Sequence, residues 1–179
     1  FFPHLAALLL ILDIFLVNRG FHAAVDPALL AYEPPLVHWL RQQSGSWRLT
    51  TFDSQGQKPL NANAGWLLGF EDVRGYDSII PKQFTNYMAA IERQNELPFN
   101  RIQPIANWES LNSPLLDVLN VKYIISQEAV DLPKLQQVWQ EGNLRVYENL
   151  AVAPRAYTLP QTQTAVVPDP LTAMTTQYD

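Results

Sequence analysis

The stretch FEDVRGYDSIIPKQF, Phe70 to Phe84, gathers Glu71, Asp72 and Asp77 around Arg74 and is the strongest candidate cluster for chemistry in the chain. Two carboxylates could act as general acid and base in glycoside hydrolysis, but that reaction depends on a separation that spacing within a loop does not fix. Contact with a ligand through Arg74, Tyr76 and Asp77 is a second reading. A third is architectural: Arg74 pairs with a neighbouring acid, Gly75 permits a sharp turn and Tyr76 packs inward.

Other reactive constellations are missing. His4, His22 and His38 stand in unrelated contexts with no second ligand at metal spacing, so no metal is expected. There is no G-x-S-x-G nucleophile turn, and no G-x-G-x-x-G or Walker loop to cradle phosphates, so no cofactor is expected either. The chain has no cysteine, which excludes disulfides, thiolate metal sites and thiol nucleophiles. Trp47, Trp66, Tyr76, Tyr87 and Trp108 offer flat faces that could stack on sugar rings, although packing is the simpler use of each.

The elements that must position these residues follow from composition and periodicity. A chain of 179 residues can hold one domain with a real core. Its net charge of -5 and lack of any basic run argue against a nucleic-acid partner, which needs clustered cations. Fourteen prolines, many between short apolar runs, indicate short elements and frequent turns.

The chain opens on Phe1 rather than methionine, directly into FFPHLAALLLILDIFLV, as a piece of something longer would. A spanning helix needs about 20 apolar residues. Phe1 to Val17 is slightly short alone, but long enough if the sequence begins inside the bilayer. A signal peptide lacks support because there is no basic n-region and no small-x-small cleavage site. A buried core helix would leave a solvated stripe, and AALLLILDIFLV is apolar on every face. Asp13 is expected near the aqueous end, just before Asn18, Arg19 and Gly20. Arg19 alone does not orient the span.

Residues 20–33 read as a linker. Pro34 and Pro35 then open a short helix with Leu36, Val37 and Leu40 on its apolar side. GSWRLTTFD alternates as a strand, with Trp47, Leu49 and Thr51 on one face. NANAGWLLGF predicts a short helix, and Pro81 opens another that carries Phe84, Tyr87 or Met88, and Ile91 at helical spacing. Ser113 and Pro114 form an N-cap and first-turn pair. VKYIIS reads as a central strand, LQQVWQEGNLRVYEN as a hairpin around Glu141-Gly142-Asn143, and RAYTLP as one more short strand. The mixture predicts an α+β domain with a mixed or antiparallel sheet and short flanking helices.

In order, the apolar helix, YEPPLVHWLRQ, WRLTTFD, NANAGWLLGFEDVRGYDSIIPKQFTNYM, LLDVLNVKYIIS and LRVYENLAVAPRAYTLP resemble the extracytoplasmic part of YfhO-like bacterial membrane proteins. These are large polytopic proteins related to the GT-C glycosyltransferases. The most specific matches are Val73-Arg74-Gly75-Tyr76-Asp77, Leu119-Asn120-Val121-Lys122-Tyr123, and Val146-Tyr147-Glu148-Asn149 with Pro154-Arg155-Ala156. The resemblance covers roughly residues 5 to 160, nearly the whole chain.

It implies the end of a transmembrane helix at 1–19, a linker at 20–33, an extracytoplasmic α+β domain at 34–160 and the start of a continuation at 161–179. The parent would sit in the membrane and move a sugar from a polyprenyl-phosphate donor to a cell-envelope acceptor. Its partners would be the rest of the parent, the membrane, and a lipid-linked sugar or cell-envelope glycan. In GT-C enzymes the catalytic acid lies in an early extracytoplasmic loop that this sequence does not contain, so no catalytic residue carries over. Arg74, Tyr76 and Asp77 are the residues expected to meet substrate. A membrane-tethered glycan-binding domain without catalysis is the alternative, and a tethered hydrolase using Glu71 or Asp77 a third.

Overall fold

The computed structural model describes residues 2–21, 25–94, 100–161 and 166–176. His22, with parts of the predicted segments 20–33 and 161–179, lies outside the described residues. The chain divides between Pro34 and Pro35 into two compact units.

The first unit carries helix α1 (Phe2–Asn18), whose Ala- and Leu-rich run favours the helix. Asn18 closes it, its side-chain amide donating to the Ile14 carbonyl at 2.8 Å. None of its residues is buried. Its 17 residues rise about 26 Å at 1.5 Å per residue, against a hydrocarbon core of about 30 Å. No helix among the described residues is long and apolar enough to cross a membrane. Within the expected linker a 3-10 turn forms at Pro27–Leu30, where the Asp26 carboxylate accepts from the Ala28 amide at 2.9 Å.

The second unit is α+β. Five strands form one mixed sheet in the order β2-β1-β5-β7-β6: β1 (Arg48–Phe52), β2 (Glu71–Asp72), β5 (Val121–Ser126), β6 (Leu135–Glu141) and β7 (Leu144–Asn149). β1 runs parallel to both β2 and β5, while β7 is antiparallel to β5 and β6. A separate two-stranded ribbon pairs β3 (Gly75–Tyr76) with β4 (Arg101–Ile102), Gly75 facing Ile102 and Tyr76 facing Arg101.

One face of the sheet presents Leu49, Tyr123, Ile125 and Val146 to Leu36 and Leu40 of α2 (Pro35–Arg41). Trp39 and Trp47 meet the Tyr123 ring edge-on at 5.3 and 5.0 Å, the arrangement that ring quadrupoles favour. The other face buries Phe52, Val121, Ile124 and Tyr147 against Met88 and Ile91 of α4 (Lys82–Ile91) and Leu115 and Leu116 of α5 (Pro114–Val118). Each such aliphatic side chain contributes about 1.5–3 kcal/mol by leaving water. The Ser113 hydroxyl accepts from the Leu115 amide, capping α5 beside Pro114 as its sequence predicts.

Two further expectations meet the structure at particular bonds. VKYIIS is central and almost wholly buried, and the hairpin closes through a two-residue loop because Glu141 pairs with Leu144. Gly142, the first loop residue, takes φ +57°, where glycine pays no Cβ penalty. β1 is buried on both faces rather than one, since Leu49 packs against α2 on one side of the sheet while Phe52 enters the core under α4 and α5 on the other.

RAYTLP forms no strand. Pro154 and Pro160 bracket it, and Tyr157 and Leu159 stay exposed instead of joining a ladder. Residues 170–176, expected to begin a continuation, form α6 (Pro170–Thr176), whose Leu171 and Met174 pack against the α4 and α5 core. Asp169 holds its first turn through the Thr172 hydroxyl at 2.6 Å.

Candidate binding cleft

The stretch 70–84 crosses β2, β3 and the entry to α4, and one wall of an open cleft of about 440 Å³ is built from it. The loop and short helix α3 (Ala64–Leu68) line the same cleft. Gly65 permits α3 to lie close against Phe70, because a Cβ there would lie 2.3 Å from the Phe70 carbonyl oxygen. A volume of this size falls within the ordinary range of small-ligand sites.

Arg74 forms the floor. Its guanidinium grips the Asp72 carboxylate through Nη2 to Oδ2 at 2.5 Å and Nε to Oδ1 at 3.1 Å. The Arg74 backbone amide adds a third bond to Oδ1 at 2.9 Å, and Nη1 reaches the Leu60 carbonyl at 3.3 Å. Both side chains are 2% exposed. Burial pushes the Asp72 carboxyl up from its usual value, with the Arg74 charge and hydrogen bonds pulling against it. The architectural reading thus accounts for Arg74.

It does not account for Tyr76, which is 63% exposed. The Tyr76 backbone is fixed on both sides instead. The Asn63 side-chain amide donates to the Tyr76 carbonyl at 2.9 Å and accepts from its N–H at 3.0 Å, like one more rung of a ladder. The ladder continues as the Asp77 amide donates to the Asn100 carbonyl at 2.9 Å. Asp77 is exposed, its carboxylate accepting from the Ser78 amide at 2.6 Å. All three predicted residues line the cleft, Arg74 inside and Tyr76 and Asp77 at the rim.

Glu71 also lines the cleft, with two guanidiniums on one oxygen: Arg155 Nη2 at 2.7 Å and Arg48 Nε at 3.4 Å. Burial is the largest single influence and raises its carboxyl, but the hydrogen bonds and charges of Arg155 and Arg48 together outweigh it and hold the carboxyl below the usual value. Glu71 and Asp72 are therefore committed to arginines, and Asp77 makes no ion pair among the described residues. A general acid and base pair needs two carboxyls free to exchange protons with substrate. Of the three acids lining the cleft, Asp77 alone stands outside an arginine pair among the described residues.

Of the five aromatics singled out above, Trp66 joins Tyr76 at the cleft, and it is 92% exposed. Trp47 packs on Tyr123. The Tyr87 hydroxyl donates to the Leu115 carbonyl at 2.6 Å, and burial, helped by Tyr157 and Asp117, pushes it up to about 12. Trp108 lies on a separate 3-10 turn, Trp108–Asn112.

Asn63 and Ile79 line the cleft and Arg155 pairs with its Glu71, and sequence reading selected none of the three as a site residue. His38 bonds to Gln42 at 2.8 Å, and no group of three or more potential metal ligands occurs among the described residues. No family model, curated protein or solved structure matches the chain.

Proposed function

We propose that this chain is the extracytoplasmic head, with its preceding membrane helix, of a YfhO-like protein related to the GT-C glycosyltransferases. In that reading α1 lies in the bilayer and residues beyond Gly20 lie outside the cytoplasm. The parent moves a sugar from a polyprenyl-phosphate donor to a cell-envelope acceptor, and the head helps select the acceptor. The observation that carries this reading is the cleft itself: the Arg74-Gly75-Tyr76-Asp77 segment lines it, with Tyr76 and Asp77 presented to solvent. The apolar, wholly unburied surface of α1 supports the membrane placement.

A second reading, a tethered module that recognises glycans without catalysis, is favoured by the engagement of Glu71 and Asp72 with arginines. The same engagement counts against a tethered hydrolase. Two experiments separate these readings. The intact mass and membrane partition of the native gene product come first. A membrane-bound product several times heavier than this 20.3 kDa chain supports the transferase reading, whereas one of about this size leaves the tethered module. Sugar transfer is then measured in the native product carrying Tyr76→Ala and Asp77→Asn. Transfer equal to wild type removes the loop from the mechanism.

A further inference from the structure

We propose that a second cavity of the α+β unit, about 430 Å³ in volume, binds the phosphate group of a small phosphate ester through Lys58 and Arg101. This cavity shares Arg74, Tyr76 and Ile102 with the cleft but adds Lys58 and Arg101, which the cleft lacks. Its described lining holds three cations, Lys58, Arg74 and Arg101, and no acid. Composition alone would not produce such a lining, because the chain has 12 basic against 17 acidic residues. The Arg74 charge is cancelled by Asp72. Lys58 and Arg101 have neither an ion pair nor a side-chain hydrogen bond among the described residues, so two positive charges stay uncompensated.

Backbone structure places both cations. The Asp53 carboxylate accepts from the Gln57 and Lys58 amides at 2.8 and 2.9 Å and holds the turn in which Lys58 takes φ +51°. A lysine in this left-handed region is uncommon, and backbones of that kind concentrate at ligand sites. Asp53 is itself buried, engages both oxygens in these bonds, and is not among the residues lining the cavity. Arg101 stands directly opposite Tyr76 in the β3–β4 ribbon, so the two side chains leave the same face of it. Leu60, Ile102 and Pro104 add apolar surface to the same cavity. A phosphate monoester carries about 1.5–2 negative charges at pH 7, which matches two free cations, whereas a carboxylate offers one. The Arg101 guanidinium can fork two phosphate oxygens, while Tyr76 and the apolar residues take the organic part of the ester. Every residue involved belongs to the second unit, so binding does not depend on where α1 lies.

Isothermal titration of the detergent-solubilised full chain tests this, with glucose 1-phosphate as the probe and glucose, glucuronate and inorganic phosphate as comparisons. Glucose 1-phosphate is expected to bind more tightly than any of the three. Arg101→Gln and Lys58→Asn should each weaken it about tenfold or more, the loss of one charge-assisted contact. Asparagine suits the second change because it tolerates the left-handed backbone, and both side chains are exposed, so neither variant disturbs the core. Lys82→Gln, which removes an exposed charge outside the cavity, should bind as wild type does. No heat with either glucose 1-phosphate or inorganic phosphate overturns the site. So does binding that survives both Lys58→Asn and Arg101→Gln, or that Lys82→Gln weakens equally, since attraction would then be to net charge alone. Glucuronate binding as tightly as glucose 1-phosphate overturns the choice of phosphate over carboxylate. Inorganic phosphate binding as tightly overturns the place given to the organic part. Sugar transfer is not read in any of these titrations, so their failure leaves the proposed transferase standing and its failure leaves this site standing.

Discussion

The Arg74 guanidinium engages both oxygens of the Asp72 carboxylate, two residues away, with bonds of 2.5 and 3.1 Å and only 2% of either side chain exposed. Removing one partner of a buried pair strands the other charge, at a cost of about 3–5 kcal/mol. Arg74→Ala is therefore expected to destabilise the second unit by that order, read by urea denaturation of the detergent-solubilised chain. Arg74→Lys should recover only part of the loss, since an ammonium lacks the planar fork that engages both oxygens. A loss below about 1 kcal/mol for the alanine variant would show that water replaces the guanidinium and that the pair does not anchor the cleft. Any activity lost in Arg74→Ala would then need to be separated from misfolding, which is why Tyr76 and Asp77 are the better probes of function.

The Glu71 contact gives a pH-dependent prediction. Its carboxyl lies below the ordinary value of 4.5 in the folded chain. Stabilisation by Arg155 and Arg48 is therefore fully present above that ordinary value and is lost as pH falls through the folded value. Glu71 is about half exposed, so the effect is that of a surface ion pair, about 0.2–1 kcal/mol. Arg155→Ala should be less stable than wild type near neutrality, and the difference should shrink as acidification carries the solution through the lowered Glu71 value. Urea denaturation at neutral pH and across a series of acidic pH values checks this. A difference that persists undiminished in acid would assign Arg155 a packing role instead.

What could be read in the sequence is what local chemistry dictates. Ser113-Pro114, the hairpin around Glu141-Gly142-Asn143 and the apolar run of VKYIIS each carry their signal within a few neighbours, and each forms as expected. β2, β3 and β4 are two residues long, too short to show alternation, so the ribbon that presents Tyr76 left no periodic trace. The Arg155–Glu71 pair joins residues 84 positions apart, a partnership set by tertiary folding alone. RAYTLP alternates like a strand, but its flanking prolines and the exposure of Tyr157 and Leu159 keep it outside the sheet. Asn63 lay in view within NANAG, yet its role depends on Tyr76 arriving opposite it.

That last contact supports the final prediction. Asn63 stands in for a neighbouring strand, its side-chain amide both donating to and accepting from the Tyr76 backbone. Asn63→Ala removes both bonds but leaves Tyr76 exposed to water, which can replace them, so the net loss in stability should be about 1 kcal/mol. The sharper effect is local. The Tyr76 amide loses its bond to Asn63 Oδ1 and should exchange hydrogen faster. The Val73 amide, bonded to the Leu49 carbonyl at 3.0 Å within the main sheet, should keep its protection. Hydrogen exchange resolved to these two residues reads the difference. Faster exchange at both would mean that Asn63 holds the whole cleft wall to the sheet, whereas no change at Tyr76 would mean that pairing with β4 suffices to fix the rim.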